Sequence, residues 1–173
     1  MVRRGIRDNA WIGLPGVTLA IVASVGGCAA LPETQQAGST PRVGAVRHEE
    51  EPVERRFPEF GEVVATVWVA EELGVRRSSV PGPTDIRLVG SASLLKPTVR
   101  RILRDFVWRE TSMDVALPDG GIAKELRTEG EWVTSPDFDQ SVTRGSYTGR
   151  FYLNAKDGVM LFDAVNPTPP AES

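Results

Sequence analysis

The chain predicts an α+β domain in which one principal amphipathic helix packs on a small, largely antiparallel sheet. Three observations predict it. A dense β-branched run covers Val63 to Val69, the stretch Ser93 to Arg109 changes to helical periodicity, and Asn154-Ala155-Lys156-Asp157-Gly158 separates two apolar segments as a hairpin loop. Strands outnumber helices, which selects the α+β class.

Ordered character begins near Phe57-Pro58. In the run that follows, Val63, Ala65, Val67 and Val69 share one face of a strand, and Val64, Thr66 and Trp68 share the other. Glu71-Glu72-Leu73-Gly74 reads as a turn, Val75 to Ser79 as the start of a partner strand, and Val80-Pro81-Gly82-Pro83 as its break. Asp85 to Gly90 alternates polar and apolar, with Ile86 and Leu88 on one face of a further strand. From Ser93 to Arg109, Leu95, Val99, Ile102, Leu103 and Phe106 recur as one helical stripe, and Pro97 fits the first turn, where a missing N–H costs nothing. Full burial of each large aliphatic on that stripe contributes about 1.5–3 kcal/mol, so packing decides the helix more than charge does. Its other face carries Lys96, Arg100, Arg101 and Arg104. Solvation is the default role of such a stripe, and contact with anionic lipid or an acidic partner is the functional alternative.

Asp119-Gly120-Gly121 marks a turn, Ile122 to Val133 supplies one strand ending at Trp132, and Thr134 to Ser141 reads as a loop. Ser146 to Leu153 and Val159 to Phe162 form the two arms of the hairpin. The proline-rich tail from Asn166 is expected to be disordered.

The N-terminus has a different character. Arg3, Arg4 and Arg7 precede an apolar stretch from Trp11 to about Val25, and Val25-Gly26-Gly27-Cys28 follows. Cys28 is the only cysteine, and the apolar stretch is short for a membrane span of about 20 residues. Arg3-Arg4 can also be read as a twin-arginine signal, with export as the inference either way. These residues resemble a bacterial lipoprotein signal with its lipobox. The resemblance implies cleavage before Cys28, acylation of its thiol, and attachment to a membrane of the bacterial cell envelope. Ala29 is not the aspartate that retains many lipoproteins in an inner membrane, so in a Gram-negative cell the implied location is the outer membrane, facing the periplasm.

The expected organisation is a signal peptide over 1–27, a lipid-anchored flexible tether over 28–56, one α+β domain over 57–165 and a tail over 166–173. The tether assignment follows from a stretch poor in large apolar residues and rich in Pro, Gln, Glu, Gly, Ser and Thr. Removal of residues 1–27 takes away Arg3, Arg4, Arg7 and Asp8 and leaves 17 basic against 22 acidic residues. That acidic balance argues against a nucleic-acid partner. With one cysteine, no disulfide forms within the chain, and the domain relies on its own core.

Residues that could carry chemistry are few. Ser93-Leu94-Leu95-Lys96 matches the Ser-x-x-Lys pattern of penicillin-recognising acyl-transfer enzymes, but the companion Ser-Asp-Asn and Lys-Thr-Gly motifs are missing, and a helix cap or loop hydroxyl explains Ser93 better. The sole histidine, His48, lies in the expected tether, which removes a Ser-His-Asp triad. His48-Glu49-Glu50-Glu51 reads as a solvated charge run rather than a metal cluster. Asp137 with Asp139 is too small a set for calcium, and Asp114 with Asp119 would need a separation that sequence does not supply for glycoside hydrolysis. Trp68, Trp108 and Trp132 read as core residues before they read as a sugar-stacking platform. No catalytic, cofactor-binding or metal site is expected.

Gly61 to Val69, Asp85 to Val89, Ser91-Ala92-Ser93, Leu94-Leu95 and Arg104-Asp105-Phe106-Val107-Trp108 together resemble the C-terminal domain of TonB-family proteins. There a strand pair is followed by a Ser-rich loop, a Leu-led helix and an ending with two aromatics, here in exchanged order. The resemblance covers about 50 residues and implies a periplasmic domain that grips another envelope protein. The departures are specific. A cleavable signal replaces the transmembrane helix that engages an inner-membrane motor, Phe57-Pro58 runs into the first strand without the usual helix, Val80-Pro81-Gly82-Pro83 is an added loop, and the hairpin beyond Ser146 has no family counterpart. Force transmission is therefore not expected. The expected function is a membrane-anchored lipoprotein whose domain binds an envelope protein, by strand addition to an open sheet edge. The alternatives are a small periplasmic hydrolase or peptidoglycan-acting enzyme, and an aromatic-lined ligand-binding module.

Overall fold

The computed structural model describes residues 42–74, 85–119 and 121–169. Seven strands form one sheet: β1 (Arg42–Val43), β2 (Val63–Leu73), β3 (Asp85–Leu94), β4 (Arg109–Thr111), β5 (Trp132–Thr134), β6 (Thr148–Asn154) and β7 (Val159–Val165). Their order is β1-β2-β3-β7-β6-β5-β4, and every neighbouring pair is antiparallel. Four helices accompany them, α1 (Glu51–Arg56), α2 (Lys96–Asp105), α3 (Ile122–Glu125) and α4 (Pro136–Thr143). The class is α+β with an antiparallel sheet, as the sequence predicts.

The long central strands bury both faces. On the first face, α1, a 3-10 turn at Pro58–Phe60, α2 and α4 close over Trp68, Leu88, Ala92, Phe151 and Phe162. Phe57, Phe60, Phe138, Phe151 and Phe162 are wholly buried there and meet largely edge-on or tilted, with centroids 5.1 to 6.2 Å apart. On the second face, α3 and the segment Met113 to Leu117 cover Val69, Val89, Tyr152 and Leu161. Met113, Val115 and Leu117 turn inward while Ser112, Asp114 and Ala116 are exposed, the alternation of a strand in a segment with no strand pairing.

The hairpin is as expected. β6 and β7 pair from Thr148↔Val165 to Asn154↔Val159, and Gly158 takes the positive φ of 68° that the turn requires. Asn154 closes it, donating through Nδ2 to Asp157 Oδ2 and accepting from the Asp157 amide at Oδ1, both at 3.1 Å.

Several expectations need correction. Residues 42–56, expected to be tether, belong to the fold: β1 pairs with the end of β2, Arg47 bridges Trp68, and α1 buries Val53. A few apolar side chains suffice here because Glu50 O begins α1 and Glu49 O accepts both the Thr66 hydroxyl and the Trp68 indole N–H at 3.1 Å. Glu71-Glu72-Leu73 is not a turn but the last part of β2; the expected strand at Val75 to Ser79 and the break at Val80 to Pro83 lie outside the described residues. The expected facing of β2 holds only after Ala65. A bulge between Val63 and Ala65 shifts the register, so that Val63 joins Trp68 on the first face while Val67 and Val69 face the second.

The helix expected from Ser93 begins at Lys96, because Ser93 and Leu94 are still in β3, where the Leu94 amide donates to Gly158 O at 2.8 Å. It ends at Asp105, since Phe106 is extended, and Leu103 is 38% exposed rather than part of the buried stripe of Val99 and Ile102. The strand expected over Ile122 to Val133 is α3 followed by a loop and the short β5. The loop expected over Thr134 to Ser141 is largely helix α4, whose Ser135 hydroxyl caps the Phe138 amide at 3.3 Å with Pro136 in the first turn. The tail begins after Asn166, which at φ 55° accepts from the Ile86 amide and donates to Asp85, both at 2.8 Å.

Candidate functional site

The densest polar cluster among the described residues lies on the second face of the sheet, across the neighbouring strands β2, β3 and β7. Glu71 of β2 stands opposite Arg87 of β3, and Asp163 of β7 stands opposite Val89, one diagonal step away. Arg87 donates from Nε to Asp163 Oδ1 at 2.7 Å and from Nη2 to Asp163 Oδ2 at 2.9 Å, a bidentate pair. Its Nη1 donates to Glu71 Oε2 at 3.0 Å, and Nη2 also reaches the Ala116 carbonyl at 2.8 Å. The hydrogen bonds to Asp163 raise the Arg87 pKa above its ordinary value, against the opposing effect of desolvation. A guanidinium so held stays charged and has no free role as acid or base. What the cluster does is mechanical: it joins three strands and fastens the unpaired segment at Ala116 across them.

A second cluster surrounds Glu59 in the 3-10 turn. Arg144, at the end of α4 with φ 51°, donates to Glu59 Oε1 at 2.8 Å, and Arg101 of α2 donates to the Glu59 carbonyl at 2.7 Å. Glu59 Oε2 is shut from solvent and has no hydrogen-bond partner among the described residues. Nearby Tyr147 is pushed up to about 12, first by burial and then by Glu59, and its hydroxyl donates to Val142 O at 3.2 Å. Asp139 of α4 is pushed up to about 6 by burial, although its Oδ1 accepts from the Phe151 amide at 3.1 Å and Arg150 opposes the shift.

The residues singled out in the sequence are not assembled into one site. Cys28 lies outside the described residues. His48 Nε2 stands 3.4 Å from Glu125 Oε2, an exposed pair linking the N-terminal strap to α3, and no group of three or more metal-ligating side chains occurs among the described residues. Ser93 and Lys96 do not share a helical face, because one is in β3 and the other opens α2. Asp137 and Asp139 stand two residues apart in the first turn of α4, Asp137 exposed and Asp139 turned to the β6 backbone, so they do not converge. Asp114 and Asp119 are both exposed on the segment that crosses the second face. Trp68 and Trp108 pack in the first-face core and Trp132 in the second, each with its indole N–H on a backbone carbonyl, at Glu49, Ile102 and Thr128 respectively. They form no common platform.

Sequence reasoning missed Arg87, Glu71, Asp163, Glu59 and Arg144. Arg87 alternates with the inward Ile86 and Leu88, the pattern of a solvated face, and only the cover supplied by residues 113–117 turns that face into an interior.

The sheet ends on two short strands, β1 and β4. β4 presents exposed Arg109 and Glu110, and its outer edge pairs with no strand among the described residues. Val107, just before it, is 66% exposed. The outer face of α2 exposes Lys96, Arg100, Arg101, Leu103 and Arg104. No helix among the described residues is long and apolar enough to cross a membrane. No family model, curated protein or solved structure matches the chain.

Proposed function

We propose that this chain is a bacterial envelope lipoprotein, anchored through acyl groups on Cys28, whose α+β domain binds another envelope protein without catalysis or energy transduction. The observation that carries the reading is Cys28 itself, the only cysteine, placed after small residues at the end of a basic-then-apolar N-terminus. In a Gram-negative cell, Ala29 favours the outer membrane with the domain facing the periplasm. The open edge of β4 supports the binding role, since an extended partner segment can add to it by main-chain hydrogen bonds, with Val107 as an adjoining apolar contact.

Two measurements on the full chain test the two halves of this reading. Mass spectrometry of membrane-extracted protein is expected to find acylated Cys28 at the N-terminus; an unmodified N-terminus at Met1 overturns the anchor. A photo-crosslinker at Glu110 is expected to capture one envelope protein that a crosslinker at Lys156, exposed in the hairpin loop, does not. Absence of any adduct specific to Glu110 overturns binding at the β4 edge.

A further inference from the structure

The geometry points to the outer face of α2 as a docking surface for an anionic lipid bilayer, the same bilayer that holds Cys28; this rests on the anchored reading above. Lys96, Arg100 and Arg104 recur at i, i+4 and i+8 and form one exposed stripe, with Arg101 beside it. The helix carries four cations and a single acid, Asp105, which Arg104 already engages at 2.9 Å. Lys96 and Arg100 are paired with no acidic side chain among the described residues.

The helix's own stability does not account for this pattern. A cation in the first turn opposes the helix dipole, and the first turn of α2 has Lys96 and no acid. The one mixed-sign i, i+4 spacing, Arg101 with Asp105, forms no ion pair, because Arg101 donates to the Glu59 carbonyl and Asp105 is engaged by Arg104. Exposed apolar side chains join the cations instead: Leu103 lies three residues from Arg100, and Val107 follows the end of the helix. A basic stripe flanked by apolar side chains is the composition of a surface that rests on acidic headgroups. The chain as a whole is acidic, with 23 acidic against 20 basic residues, so concentrating cations on one helix gives the domain a preferred orientation in the field of a negative surface.

Reach permits the contact. Thirteen residues separate Cys28 from Arg42 and span at most about 50 Å. β2, the longest strand at 11 residues, extends about 36 Å. The reach exceeds the length of the longest strand, which leaves α2 room to meet the bilayer that holds Cys28.

The test uses the full chain purified from membranes, after mass spectrometry of its N-terminus. With Cys28 acylated, Val107→Cys supplies the only free thiol for an environment-sensitive fluorophore. The protein is then placed in vesicles of phosphatidylcholine alone or with 30 mol% phosphatidylglycerol, a composition on the order of an anionic leaflet. A blue shift is expected only in the anionic vesicles, and it should disappear at high salt. The triple variant K96Q/R100Q/R104Q keeps helix propensity and, at about fivefold per cation, should weaken docking about a hundredfold. An equal signal in both vesicles, or one untouched by the triple variant, overturns the proposal. So does a shift produced by soluble polyglutamate and not by anionic lipid, which assigns the face to an acidic protein. If Cys28 proves unacylated, the anchor has failed separately, and flotation of the unlabelled chain with the same vesicles decides the helix alone: charge-dependent flotation sustains it and none overturns it.

Discussion

Arg87 clasps Asp163 through two parallel hydrogen bonds, 2.7 and 2.9 Å long, holds Glu71 through Nη1, and reaches the Ala116 carbonyl from Nη2, which it shares with Asp163. Replacing it with methionine leaves two carboxylates facing one another in a largely covered position, with no cation between them. Breaking a buried pair on one side in this way costs about 3 kcal/mol. Urea unfolding of Arg87→Met should show that loss, and protease cleavage near Leu117 should accelerate, because the segment loses the hydrogen bond at Ala116 that ties it to the sheet. Adding Glu71→Gln and Asp163→Asn should recover much of the stability; no recovery would mean that the cost lies in packing rather than charge.

Asp139 carries the pH dependence. Burial makes its ionised form the costly one, so the folded state binds this proton more tightly than the unfolded chain does. The stability it contributes is full below about pH 4 and is lost as pH rises through about 6. Asp139→Asn keeps an acceptor for the Phe151 amide without the charge. Its melting temperature should match wild type near pH 4 and exceed it at pH 7.5, and parallel pH profiles for the two proteins would contradict the assignment.

Gly90 is required by close approach. A Cβ there would stand 2.4 Å from Val67 O, 2.5 Å from Trp68 Cβ and 2.8 Å from Phe162 Cζ, at the crossing of three paired strands. Gly90→Ala should cost about 1–3 kcal/mol through overpacking, read as a lowered melting temperature. An unchanged melting temperature would show that the strands part more easily than the register implies.

Phe138 joins α4 to the rest of the core, 5.2 Å from Phe106, 5.3 Å from Trp108 and 5.8 Å from Phe151. Phe138→Ala should cost about 3–5 kcal/mol. Trp108 fluorescence should shift to the red before global unfolding, since its ring loses a neighbour on one side. A variant with unshifted emission would place the docking of α4 on Val142 instead.

These residues also show why some of the fold is legible in the sequence and some is not. The hairpin is legible because Asn154, Asp157 and Gly158 meet a local backbone demand that no distant contact alters. Helix α4 left a local signal as well, Ser135 before Pro136, obscured by the two aspartates that read as loop chemistry. The facing of Val63 is not legible because a bulge has no strict sequence signature, and the fate of Glu71 and Arg87 depends on a cover arriving from residues 113–117. Residues 42–56 look too polar to fold because their main partners are main-chain groups, Gly44 N with Ala70 O and Arg47 with Trp68. The anchor signal proposed at Cys28 is local and so readable in sequence, whereas a docking face is a property of assembled surface.

The way Arg42 to Glu49 lies along β2 gives the domain a direction of mechanical weakness. Its main-chain bonds to Ala70 and Trp68 run across the strand and are met one after another from the N-terminal end. Tension entering at Arg42 across the strand direction would load these bonds one after another, until the Glu49 carbonyl lets go of Thr66 and Trp68. Under such a pull the strap would yield first and bare the outer edge of β2, while the aromatic core behind it stays closed.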